Sequence, residues 1–409
     1  MVQRRFDMLS PQPNGTMPAS EIDPFAPDFL ADPYPYHQEL RELGPVVRLG
    51  CYGIWAVTRY EQVSAILNDW QTFGSGGGVG LANFHKEGNW RPPSLLLETD
   101  PPMHTRARTV MNRAVAPKLL RELRDGFYRE AVRLLDKALE LGTFDAVAEL
   151  SIPYPLKVFP DAVGIAPDER EMLLPYGNMV FNTMGPKNDL YRAALAPVDK
   201  VLPWVMQRCG RHALRPGSLG AEVYKYADTG EVTEQEAGLL VRSFLSAGID
   251  TTVHALGNAI LCFAEHPGEW QKLRQEPAKA RPAFDEVMRF ETPFQCYFRT
   301  TTRPTEIAGT PIDAGEKIYV SIAAANRDPR RWQEPARFDI SRKVSGHVGF
   351  GTGIHACVGQ MIARMEIEAL LTAMVERVAA IELAGKPERL IHNTLRAVAK
   401  LPVRMTRLN

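Results

Sequence analysis

Apolar residues recur at helical spacing over 34–43, 59–70, 103–114, 118–141, 168–184, 188–208, 233–266, 281–291 and 357–378. Strand-like runs are few and short, at 45–49, 53–58, 297–303, 316–322, 379–384 and 395–406. The pattern predicts a mainly α protein with a small β part. No internal repeat and no linker divides the chain, so one domain over 1–409 is expected, with residues 1–20 as a loose leader. The glycine run Gly74–Gly80 reads as a mobile loop.

One helix dominates the pattern. Thr233-Glu234-Gln235-Glu236 is a capping-box start and His266-Pro267-Gly268 a stop. The intervening run is about 50 Å long at 1.5 Å per residue, enough to cross the molecule. Ala247-Gly248-Ile249-Asp250-Thr251-Thr252 falls in its middle. Glycine costs about 1 kcal/mol there relative to alanine. A threonine hydroxyl can bond the carbonyl one turn back and loosen the helix. That segment predicts either a simple bend or a polar notch in an apolar wall.

Composition narrows the partners. Forty-eight basic and 48 acidic residues give zero formal charge, which argues against a strongly basic nucleic-acid binder. At 45% hydrophobic and 23% charged the chain can fill a large core. The most apolar stretch, Ala237–Ala264, is broken by Arg242, Asp250, His254 and Asn258. Arg4 and Arg5 lead into Asp7 and Pro11 rather than an apolar run, so neither signal peptide nor membrane anchor is expected. Cys51, Cys209, Cys262, Cys296 and Cys357 are widely spaced and form no CxxC pair, which fits a reducing compartment. A cytoplasmic monomer that touches neither membrane nor nucleic acid is expected.

The chemistry centres on Phe350-Gly351-Thr352-Gly353-Ile354-His355-Ala356-Cys357-Val358-Gly359. Glycines permit a tight turn, and a helix follows the cysteine, where backbone N–H groups and the helix dipole stabilise a thiolate. A lone thiolate so held suits an axial iron ligand. Gly351, Gly353 and Ala356 also fit a dinucleotide fingerprint. Too little chain follows Cys357 for the remaining strand–helix units of such a domain.

This segment resembles the cysteine-ligand loop of the cytochrome P450 superfamily, in its soluble bacterial form, and the likeness runs from Pro33 to the final strands. Glu286-Val287-Met288-Arg289 resembles the family's ExxR pair, with Arg337 in Pro335-Ala336-Arg337-Phe338 as the expected third member of a structural network. The resemblance implies haem b with Cys357 as axial ligand. It implies Asp250 and Thr251 as the acid–alcohol pair that relays protons for O–O cleavage. His104, Arg108, Arg299 and His355 would pair with the haem propionates. Electrons would come from an iron–sulfur ferredoxin and an NAD(P)H-dependent reductase, and O₂ would be the oxidant.

A closer likeness, to the bacterial subfamily that oxidises para-substituted benzoates such as 4-methoxybenzoate, rests on Arg91, Ser94, the Asn178–Asn182 run and the Ser243/Ser246 spacing. It implies that Arg91, Ser94, Ser243 and Ser246 orient a carboxylate while Phe181 and Phe294 face the ring. Met184, Phe294 and Tyr297 stand where that subfamily is expected to carry Phe, Val and Phe. The implied reaction is para O-demethylation or hydroxylation of a small aromatic acid. Hydroxylation of another apolar molecule, such as a terpenoid or fatty acid, and a non-catalytic haem-binding role remain the alternatives.

Overall fold

The computed structural model describes residues 18–408. Residues 1–17, most of the expected leader, lie outside the described residues. Ala19 and Ser20 are not loose: they form a short strand paired in parallel with Arg48 and Leu49.

The helices that position the site form where the periodicity places them. Met103–Ala114, Pro117–Glu140, Ala280–Phe290 and Gln360–Arg377 bury their apolar faces in one continuous core. Three helices of nine residues or more escape the sequence pattern, Pro153–Val163, Leu219–Asp228 and Pro267–Gln275, as do the one-turn helices Pro27–Ala31 and Ile322–Asn326. Prolines hide the first and last of the three longer ones. Pro160 sits inside one, and Pro267, read as a stop, also occupies the first turn of the next. The 188–208 run is two helices, Asp189–Leu195 and Val198–Arg208, parted at Ala196-Pro197.

The long helix is also two. Glu234–Ala247 opens on the expected Thr233–Glu236 capping box, and Asp250–Glu265 follows after an interruption at Gly248-Ile249. The Thr251 hydroxyl donates to the Ala247 carbonyl at 2.7 Å and the Thr252 hydroxyl to that of Gly248 at 3.2 Å. Side chains thus take backbone acceptors that the helix releases. The helix is opened over the 247–252 segment, with Asp250 buried at the start of its second part.

The main sheet has six strands in the spatial order Ala19–Ser20, Val47–Leu49, Ile54–Val57, Lys317–Ser321, Cys296–Thr301 and Phe73–Gly74. Arg299 pairs with Ile318 and Tyr297 with Val320 in the antiparallel register of the two strands beside the site. The expected 395–406 strand breaks at Leu401 before Pro402, giving Ala397–Lys400 and Pro402–Arg407. No helix among the described residues is long and apolar enough to cross a membrane.

Candidate active site

Cys357 closes a turn that the glycines make possible. Gly351 and Gly353 hold positive φ of 67° and 70°. A Cβ on Gly353 would also lie 2.5 Å from the Leu67 carbonyl. The Cys357 N–H donates to the Phe350 carbonyl at 2.8 Å, which ties the loop shut. Burial raises the thiol pKa, opposed by the N–H groups of Gly359 and Gln360 at the helix start and by the charges of Arg108 and Arg364.

The thiol lines a mostly apolar cavity between the Asp250–Glu265 and Gln360–Arg377 helices. Ser94, Phe181, Ser243, Ser246, Thr251, Phe294 and Tyr297 share its wall with Arg108, His355 and Cys357. Phe294 sits 5.5 Å from Phe181 and 4.4 Å from Tyr297, ring centroid to centroid.

Cationic and donor groups gather on one side and outnumber the nearby carboxylate of Asp100, which lies 3.7 Å from His355 Nε2. His104 is buried, its ring 4.3 Å from that of His355, and its Nε2 has no partner among the described residues. Burial, then the charges of His355 and Arg108, pull its pKa down to about 4. Arg299 is buried, donates among the described residues only to the neighbouring Phe298 carbonyl, and is pulled to about 10 by burial. Arg108 reaches the Ala356 carbonyl. His355 bonds the Leu96 carbonyl through Nδ1 at 2.9 Å and the Ser75 hydroxyl through Nε2 at 3.1 Å. A planar group bearing two carboxylates would supply the partners this set lacks. The residues fit haem.

Asp250 lies beside this cavity, outside its wall. Its carboxyl packs on Gly177, where any Cβ would come within 2.6 Å of all three carboxyl atoms. Burial alone pushes its pKa up to about 8.

Two expected placements need correction. Arg91 does not face the cavity. Its guanidinium grips Glu98 with two bonds of 2.9 and 3.0 Å, both side chains buried, because a lone buried carboxylate at Glu98 would be costly. Arg337 is not the third member of the ExxR network. Its side chain is exposed toward Glu334 and Asp339, and only its carbonyl meets Arg289. Arg342 takes the place, donating to Glu286 at 3.3 Å.

Two groups, Glu98 and Glu366, escaped the sequence reading, whereas Arg242 stood out there as a charge within the most apolar stretch. Arg242 is 1% exposed and donates to the Pro92 and Pro93 carbonyls, with Nη1 unpartnered among the described residues. Glu98 gave no signal, although its i+7 spacing from Arg91 brings the two together across a loop. Glu366 lines the cavity fully buried, both carboxyl oxygens unpartnered among the described residues, and burial raises its pKa well above the usual range. An acid in the apolar run of the last long helix was the available sign.

A half-buried thiol at a helix start, an acid beside an opened helix and a cationic rim around an apolar cavity define the site of a haem-dependent oxygenase. Comparison with known proteins identifies the lineage. Residues 219–405 match the Cytochrome P450 family. The chain is 50% identical over 401 residues to Cytochrome p450 CYP199A2 of Rhodopseudomonas palustris, covering 98% of this chain and 97% of the relative. Erythromycin C-12 hydroxylase of Saccharopolyspora erythraea is 30% identical, over 86% of this chain and 89% of its own. Among solved structures, cytochrome P450 CREJ in complex with (4-ethylphenyl) dihydrogen phosphate superposes with a TM-score of 0.84 at 25% identity, over 94% of this chain and 99% of that one. The chain belongs to the cytochrome P450 family, whose members hold haem through a cysteine thiolate and act as monooxygenases.

Proposed function

We propose that this monooxygenase oxidises a small aromatic carboxylic acid at its para position, by O-demethylation or hydroxylation. The observation that carries this reading is a charge imbalance behind the serine-bearing wall of the cavity, where Ser94 bonds Glu98 through its N–H. Two buried guanidiniums, Arg91 and Arg242, share one buried carboxylate, Glu98, and Arg242 keeps an unpartnered Nη1. A buried surplus cation favours an anionic ligand. Ser243 and Ser246 precede the notch on the same helix as Arg242, and Ser94 follows the two prolines that Arg242 holds. Phe181, Phe294 and Tyr297 supply apolar and aromatic wall beyond. The aryl phosphate bound by CREJ likewise joins an anionic head to a para-substituted ring.

Thiolate-held haem supplies activation of O₂ and insertion of one oxygen atom when bound. Cys357 is the residue placed to hold it, with His104, Arg108, Arg299 and His355 set for its carboxylates. Asp250, kept protonated by burial, carries a proton to the Thr251 hydroxyl at the cavity wall, and so to the reaction. Glu286, Arg289 and Arg342 brace the chain ahead of the cysteine loop. The chain works as one domain and receives its electrons from a ferredoxin and an NAD(P)H-dependent reductase.

A spin-state titration tests the substrate. 4-Methoxybenzoate is expected to bind about 10- to 150-fold tighter than its uncharged methyl ester, the range set by a charged hydrogen bond. Equal affinities, or a shift with apolar compounds alone, overturn the acid reading in favour of an uncharged substrate.

A further inference from the structure

Lys317 is a buried charge that the chemistry above leaves unused. It is 7% exposed and pairs with no carboxylate among the described residues. Its ammonium donates instead to three backbone carbonyls, of Gly77 at 2.9 Å, Gly78 at 2.7 Å and Gly80 at 3.0 Å. Three N–H groups meet three acceptors, the full capacity of the side chain. Burial, then the neighbouring charge of Arg299, pushes Lys317 down to about 7, partly offset by Glu98 and Glu87. The Gly74–Gly80 run is therefore wrapped around a cation rather than loose.

The wrap requires close approach. A Cβ on Gly77 would lie 2.5 Å from the Thr300 hydroxyl, and one on Gly80 would lie 2.7 Å from the Cα of Met184. The two ends of the loop reach different parts of the site. Upstream, Ser75 meets His355, and Asp100 accepts from the N–H groups of Ser75 and Gly76. Downstream, the Leu81 N–H donates to the Met184 carbonyl at 2.8 Å, and Met184 lines the cavity.

We propose that Lys317 is a positioning residue for substrate: through its ring of carbonyls it fixes Gly80 against Met184 and so sets one wall of the cavity, while the same loop holds Ser75 on His355. The inference rests on the reading that this cavity binds the substrate.

The test uses the holoenzyme. Lys317→Met keeps an unbranched stem of nearly the same length and removes the donors. Amide hydrogen exchange over residues 75–81 is expected to quicken about 10-fold or more as the loop loses its anchor. The dissociation constant for 4-methoxybenzoate is expected to rise about 10-fold, and adding Met184→Ala to raise it little further, because both changes act on one wall. The thiolate band of the reduced carbon monoxide complex stays in place. Gly80→Ala, which leaves Lys317 intact, should weaken binding in the same way, and it decides the matter if Lys317→Met does not accumulate. Exchange and affinity unchanged in the variant that folds, or fully additive effects with Met184→Ala, overturn the proposal. If the parent shows no spin shift with benzoates, the substrate reading fails instead, and exchange over 75–81 alone decides the role of Lys317.

Discussion

Two regions of the molecule share one set of parts, a buried glutamate with two arginines, and use it to opposite ends. In the first, Arg289 spends all five N–H groups: two on Glu286, and three on the carbonyls of Asn326, Pro335 and Arg337. Glu286 in turn accepts from the Asp339 N–H and from Arg342. Nothing is left over. In the second, Glu98 accepts from Arg91 and the Ser94 N–H, yet Arg91 Nε and Arg242 Nη1 stay unpartnered among the described residues. A saturated cluster holds a fold together, whereas an unsaturated one beside a cavity is capacity for a ligand. Residue type does not distinguish the two, but donor accounting does.

The largest effect should come from breaking the saturated cluster. Arg289→Ala strands Glu286 and should cost about 3–5 kcal/mol, read in denaturant unfolding and as loss of the thiolate carbon monoxide band. Arg242→Met should leave that band intact while weakening 4-methoxybenzoate about 10- to 150-fold in spin titrations. If both variants instead lose the fold equally, the distinction fails.

Asp250 extends the contrast, being a buried acid with no cation paired to it among the described residues. Its folded carboxyl binds a proton more tightly than the unfolded one, about 8 against 3.8. Stability from this group therefore falls as pH rises between those values, and Asp250→Asn should remove that slope from unfolding curves. Product formed per NAD(P)H consumed should drop above about pH 8 in the parent, and Thr251→Ala should uncouple the two at every pH. The smallest effect sharpens the network: Arg337→Ala should change stability by no more than about 0.5 kcal/mol, since its side chain is exposed, and Arg342→Ala should cost more.

Much of the site was legible because its parts are local. The cysteine loop, the notch and the ExxR pair each lie within one turn or loop, where spacing alone sets geometry. Arg91 and Arg337 were misplaced because their partners are non-local or compete. Glu98 claims Arg91 across a loop, and Arg342 donates to Glu286 while the Arg337 side chain turns to Glu334 and Asp339. The fold shows the same divide. Met103–Ala114 has the bounds its periodicity predicts, while prolines masked Pro153–Val163 and Pro267–Gln275.

The interruption at Gly248-Ile249 has an electrical side. A continuous helix would have poles only at its two ends, tens of ångströms from the cavity. Two segments bring an inner negative pole and an inner positive pole together at the site. The hydroxyls of Thr251 and Thr252 cover the carbonyls of the negative one. Asp250 stands at the first position of the second segment, against the positive one. Burial makes this acid hold its proton, and the pole beside it stabilises the anion left when the proton goes. An acid that must both keep a proton and release it is set between those two forces.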